Sequence, residues 1–143
     1  MRKLLAITLL LSLSAVAGWS ADEEPIEKLI ARAEVHSDDQ AAHCADVARR
    51  EVEIANQYYS SGDVQKAVDA VNMAVTYSQK ALEAAKRTRK KLKETDLTLR
   101  KTSRRLSDVG QTLNFEDKPV VKDAIEKIEQ TRSQILALMF GQK

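Results

Sequence analysis

Residues 37–85 read SDDQAAHCADVARREVEIANQYYSSGDVQKAVDAVNMAVTYSQKALEAA, and this stretch decides the fold. Ala41, Ala45, Ala48, Val52, Ala55 and Tyr59 recur at steps of three and four residues, the spacing of one helical seam. Cys44, Val47, Ile54 and Tyr58 widen that seam into a core-facing stripe. Ser37 followed three residues later by Gln40 reads as a capping box opening this helix. At Gly62-Asp63 the pattern restarts. Glycine accepts a left-handed C-terminal cap at little cost, and an aspartate side chain satisfies the free N–H groups of the next helix. Val64, Val68, Val71, Val75, Ser78, Leu82 and Ala85 then form a second seam. Two helices joined by so short a turn must fold back antiparallel.

Helical spacing continues on both sides. Upstream, a short helix is expected from about Pro25 to Val35, with Pro25 in a first turn that does not need its missing N–H. Downstream, the second long helix is expected to run to about Lys93, and Thr95 to cap a helix bearing Leu99, Thr102, Leu106, Val109 and Leu113, which Gly110 is placed to end early. Residues 114–119 (NFEDKP) read as a loop, followed by a last helix with Val121, Ala124, Ile125, Ile128, Ile135, Leu138 and Met139. No stretch shows sustained period-two alternation. Each helix has one apolar stripe and short connections, so the expected fold is an all-α antiparallel bundle of four to five helices forming one domain over residues 22–143. Its alanine- and valine-rich core is modest, so a partly exposed stripe and a homodimer that covers it both stay open.

Residues 1–21 read differently. Arg2 and Lys3 precede an apolar run from Leu4 to Leu13, and Ala15-Val16-Ala17 offers a small-x-small cleavage site. Cleavage after Ala17 fits best, with Gly18 and Ala21 as alternatives. The run is short against the ~20 apolar residues a spanning helix needs. A cleavable secretory signal is therefore expected, with export to a periplasmic or extracellular compartment and no transmembrane segment after its removal.

Of the 143 residues, 23 are Lys or Arg and 21 are Asp or Glu. The excess of two cations is Arg2 and Lys3, so the chain without its leader is formally neutral. That balance hides an asymmetry. Residues 22–85 are strongly acidic, whereas residues 86–105 carry Lys86, Arg87, Arg89, Lys90, Lys91, Lys93, Arg100, Lys101, Arg104 and Arg105 against only Glu94 and Asp96. Such a segment attracts phosphate-rich polymers, anionic headgroups or acidic proteins. It has no interleaved aromatic residue to stack bases, and an exported protein does not meet genomic DNA. Its alternative role is a solvated face lying beside the acidic first half.

Little else carries chemistry. The single Cys44 excludes an internal disulfide framework, and its place by the apolar seam suits a buried small hydrophobe, with an intermolecular disulfide or a reactive thiol as the alternatives. His36, Asp39, His43 and Asp46 are spaced for one side of a helix, but Ser37 leaves His36 outside it, and His43 and Asp46 are expected in solvent. No metal site or cofactor is therefore assigned. Nucleophile elbows, phosphate loops and zinc-protease motifs are absent, no catalytic residue is assigned, and enzymatic activity is not expected.

Ala55, Tyr58, Gly62, Asp63, Ala67, Val71 and Ala74 lie at the spacings of a tetratricopeptide repeat, so residues 51–78 resemble one such helix pair. The pattern departs at Glu51, where that family has a large apolar residue, and no second copy follows at the family's period. The resemblance implies at most a repeat-like, closely packed helix pair; Tyr58 and Tyr59 on this hairpin are the candidate contacts for a protein partner. The chain as a whole resembles small exported bacterial helical proteins with no activity to carry over. The expected function is thus a non-enzymatic interaction or adaptor protein of the bacterial envelope with a protein partner. The alternative is a binder of anionic envelope polymers or lipid headgroups through residues 86–105.

Overall fold

The computed structural model describes residues 23–141, and the secretory signal expected at residues 1–21 lies outside the described residues. Among these, five helices follow one another: α1 (Ile26–Ala33), α2 (Gln40–Ser61), α3 (Val64–Thr88), α4 (Leu92–Gln111) and α5 (Lys118–Met139), with a 3-10 turn at Phe115–Asp117 and no strand.

The α2–α3 turn forms as its residues dictate. Gly62 takes a left-handed φ of 83°, the Asp63 N–H donates to the Tyr58 carbonyl at 2.9 Å, and the Gly62 N–H donates to Tyr59 at 3.2 Å. The Asp63 carboxylate accepts from the Lys66 N–H at 3.3 Å. Other boundaries move. Ser37 does not cap α2; the helix begins three residues later at Gln40, whose side-chain amide donates to the Ala33 carbonyl at 3.0 Å and so fastens α1 instead. α3 stops at Thr88 rather than near Lys93, because Arg89 and Lys91 both adopt left-handed φ, 56° and 57°, and reverse the chain. Thr95 therefore lies inside α4, its hydroxyl donating back to the Lys91 carbonyl at 2.7 Å. α4 passes through Gly110 to Gln111, and half of the expected 114–119 loop is the 3-10 turn feeding α5, with Lys118 and Pro119 already in that helix's first turn.

The bundle is two antiparallel hairpins, α2–α3 and α4–α5, with α1 laid along α2. α2 packs on α4 and α3 on α5, while the consecutive helices α3 and α4 scarcely touch. Around the bundle the order is therefore α2, α3, α5, α4. Asp39 meets Lys91 and Glu53 meets Arg105 at the same sequence offset, so α2 and α4 run parallel. Within the second hairpin, Asp96 meets Arg132, and Gly110 lies against Val121, an antiparallel register. The three-residue link Arg89–Lys91 thus crosses the bundle's diagonal.

The core centres on the fully buried Leu99, Leu106, Ile128 and Ile135, with Val47, Val52 and Val71 and many alanines around them. On α3 the buried face is turned from the expected seam. Ala67, Ala70, Ala74, Tyr77 and Ala81 join Val71, Ser78, Leu82 and Ala85 inside, whereas Val64 is exposed and Val68 and Val75 are half-buried. Small residues on both α2 and α3 permit close approach, which outweighs the larger apolar area the valines would bury. The buried Ser78 and Thr102 hydroxyls are satisfied within their own helices: Ser78 donates to the Ala74 carbonyl at 2.7 Å and Thr102 to the Thr98 carbonyl at 2.8 Å.

Candidate functional site: a basic face on α4 and α5

The ten cations of residues 86–105 divide into two groups. Four are tied to the rest of the fold. Lys91 Nζ lies 3.6 Å from Asp39 and 3.7 Å from Glu94, Arg105 makes a bidentate contact with Glu53 at 2.7 and 3.2 Å, Lys86 reaches Glu83 at 3.4 Å, and Arg87 donates to the Gln40 side chain. The contacts to Asp39 and Glu53 stitch α4 to the acidic α2, so part of the segment does lie beside the acidic half. The remaining six, Arg89, Lys90, Lys93, Arg100, Lys101 and Arg104, are exposed and meet no carboxylate among the described residues.

Their positions follow from the helix period. Leu99, Thr102, Leu106 and Val109 turn α4 towards the core, which leaves Lys93, Leu97, Arg100, Lys101 and Arg104 on the opposite side. Leu92 and Leu97 are half-buried and line a shallow concavity of about 540 Å³ with Lys91, Lys93 and Lys101 around it.

The face continues onto α5. Near the linked ends of the second hairpin, Ser107, Gly110, Val121 and Ile125 form an open, mainly apolar groove of about 440 Å³, edged by Lys118 and Lys122. Both lysines are exposed and unpaired among the described residues. Phe140 lies eighteen residues beyond Lys122, about five full turns, and therefore on the same side of α5. It is 75% exposed. The antiparallel Asp96–Arg132 contact sets Phe140 at the level of the Arg89–Lys91 link, beside the start of α4. The unpaired carboxylates of this face are Asp108 and Glu126, against six cations: Lys93, Arg100, Lys101, Arg104, Lys118 and Lys122. Lys118, Lys122 and Phe140 were not among the expected site residues; they stand far along the chain from residue 105 and join the segment only through the register of α4 on α5.

Tyr58 and Tyr59 lie at the end of the bundle where α4 turns into α5, away from Phe140 and the Arg89–Lys91 link. Tyr58 is half-buried with Lys66 Nζ 5.6 Å from its ring centre. Tyr59 points inward, its hydroxyl buried without a hydrogen-bond partner, and burial, with Asp117 nearby, raises its pKa. The exposed aromatic residue at this end is Phe115.

The remaining candidates are structural. Among the described residues no three His, Cys, Asp or Glu side chains are placed to hold a metal ion. His43 and Asp46 are half-buried rather than solvated, because α4 covers that side of α2; burial raises the Asp46 pKa, with Glu94 of α4 adding to it. Cys44 is buried with its thiol 3.6 Å from the Ala33 carbonyl, and burial pushes its pKa up to about 11. Among the described residues no helix is long and apolar enough to cross a membrane. No protein-family model, curated protein or solved structure matches the chain.

Proposed function

We propose that this chain is an exported, non-enzymatic interaction protein that holds an anionic ligand on the outward face of α4 and α5. The observation that carries the reading is the set of exposed cations there with no carboxylate partner. Surface charges with partners at hand pair readily, as Lys91 and Arg105 do, and such pairs contribute little to stability, so folding has no use for the unpaired ones. A concentrated field of one sign raises the local concentration of counter-ions and speeds their capture. Export rests on the leader at residues 1–21, and the periplasmic or extracellular setting follows from it.

The test uses inorganic polyphosphate as a soluble polyanion. The protein should bind it, with affinity falling at least about ten-fold between roughly 50 and 200 mM salt as screening shortens. Replacing Lys93, Arg100, Lys101 and Arg104 with Gln should abolish most of that binding while helicity and melting temperature hold. Retention of binding by the quadruple variant would refute the assignment of this face.

A second reading keeps a protein partner and places it on the repeat-like hairpin turn between α2 and α3. Its support is Phe115, 88% exposed on the 3-10 turn whose Asp117 neighbours Tyr59. A partner seated there should be lost on Phe115→Ala or Tyr58→Ala and should survive high salt.

A further inference from the structure

The cations of the α4–α5 face do not stand alone. A soluble polyanion needs only positive charge and hydrogen-bond donors, and apolar groups exposed among those cations give it nothing. Here they are interleaved. The half-buried Leu92 and Leu97 lie in the concavity lined by Lys91, Lys93, Glu94 and Lys101, and the half-buried Ile125 lies in the groove edged by Lys118, Lys122 and Glu126, over the buried Val121. Phe140, 75% exposed, stands at the end of the face beside the link that carries Arg89 and Lys90. An isolated exposed aromatic residue is common on a protein surface, but one aligned with two apolar depressions and eight cations is a patterned surface.

We propose that this face docks on an anionic lipid bilayer, with Phe140 entering the headgroup region and the cations contacting lipid phosphates. The inference rests on the proposed anionic-ligand reading and narrows it to one partner chemistry. Charge complementarity sets the partner's sign, and the aligned apolar residues set its amphiphilic nature. Two parallel rows on adjacent helices of about 30 Å each make the face long enough to lie along a membrane surface. Asp108 and Glu126 are unpaired opposing charges within it, and Glu94 and Glu129 are opposing charges already paired with Lys91 and Arg132. The apolar residues come from helices that the fold brings together, so the amphiphilic character belongs to the helix pair and not to either helix alone. Each basic residue near an anionic surface is worth roughly five-fold in partitioning, and insertion of one aromatic side chain about ten-fold.

The experiment measures co-sedimentation of the full chain with vesicles of phosphatidylcholine alone and with 30% phosphatidylglycerol (roughly the range in which an anionic surface potential attracts basic proteins), alongside polyphosphate binding. Residues 1–22 are common to every variant, so differences between variants report the face, and pure phosphatidylcholine gives the background. The unaltered chain should prefer anionic vesicles. Phe140→Ala should weaken that binding about ten-fold and leave polyphosphate binding unchanged; the Lys93, Arg100, Lys101 and Arg104 to Gln variant should lose both. Phe140→Leu, which keeps an apolar side chain, should retain most of the vesicle binding. Polyphosphate binding with no preference for anionic vesicles, or vesicle binding indifferent to Phe140→Ala, would overturn the bilayer inference while the anionic-ligand reading survives. Failure to bind either ligand above background would overturn both.

Discussion

Glu51 is one of the few acidic side chains taken out of water, and no hydrogen bond or ion pair reaches it among the described residues. Burial raises its pKa, so the fold favours the neutral acid and pays for the carboxylate at pH 7. Glu51→Gln should therefore stabilise the protein at neutral pH, on the order of 1 kcal/mol. The gain should fade as pH falls through the raised folded value and disappear once both states are protonated; thermal melts of both proteins from pH 7 to pH 3 check the sign. Cys44 gives a kinetic counterpart. With its thiol pushed up to about 11 and its side chain buried, alkylation at pH 8 should run at least about 100-fold slower in the native protein than in denaturant, and rapid native labelling would contradict the burial. Such details were partly legible in the sequence. Cys44 beside an alanine seam reads as buried, but His43 and Asp46 read as solvated, because periodicity within α2 does not reveal that α4 covers their side.

At the scale of the elements, glycine marked one turn and missed another. Gly62 closes α2 as its sequence context implies. The reversal between α3 and α4 uses arginine and lysine in left-handed conformations, at a cost of roughly 1 kcal/mol each, and no residue preference announces it. That is why the helical spacing reads on to Lys93. Arg89→Gly should relieve the strain and raise stability by about 1 kcal/mol in urea unfolding, while removing a cation from the basic end. Gly110, by contrast, is needed in the last turn of α4: a Cβ there would lie 3.0 Å from Cγ1 of the buried Val121. Gly110→Ala gains about 1 kcal/mol of helix propensity but must displace a packed side chain, at about 1–3 kcal/mol. A net loss of about 1 kcal/mol is expected, relieved by adding Val121→Ala; additive effects in the double mutant would show that the two positions do not touch.

For the molecule as a whole, the all-α bundle was readable from its stripes, since every seam ended up contributing to one core. The order of helices around that core was not. Stripe patterns say that each helix has a buried side, not which neighbour it faces, so the parallel pairing of α2 with α4 and of α3 with α5 came only with the structure. The basic face followed the same rule. Its α4 cations are plain in the sequence, while Lys118, Lys122 and Phe140 join them through antiparallel register alone. The diagonal link between the hairpins has one more consequence. It is three residues long, held in a strained reversal, and it separates two halves whose mutual contacts do not depend on which chain supplies them. Were residues 89–91 to take right-handed helical geometry, α3 and α4 would fuse into one rod and each hairpin would pack on its counterpart from another molecule, a domain-swapped dimer. Replacing Arg89 and Lys91 with Ala, the strongest helix former, tilts the balance that way. Light scattering of the concentrated double variant should then show a dimer that dissociates slowly on dilution, whereas a chain carrying Arg89→Gly and Lys91→Gly should stay monomeric.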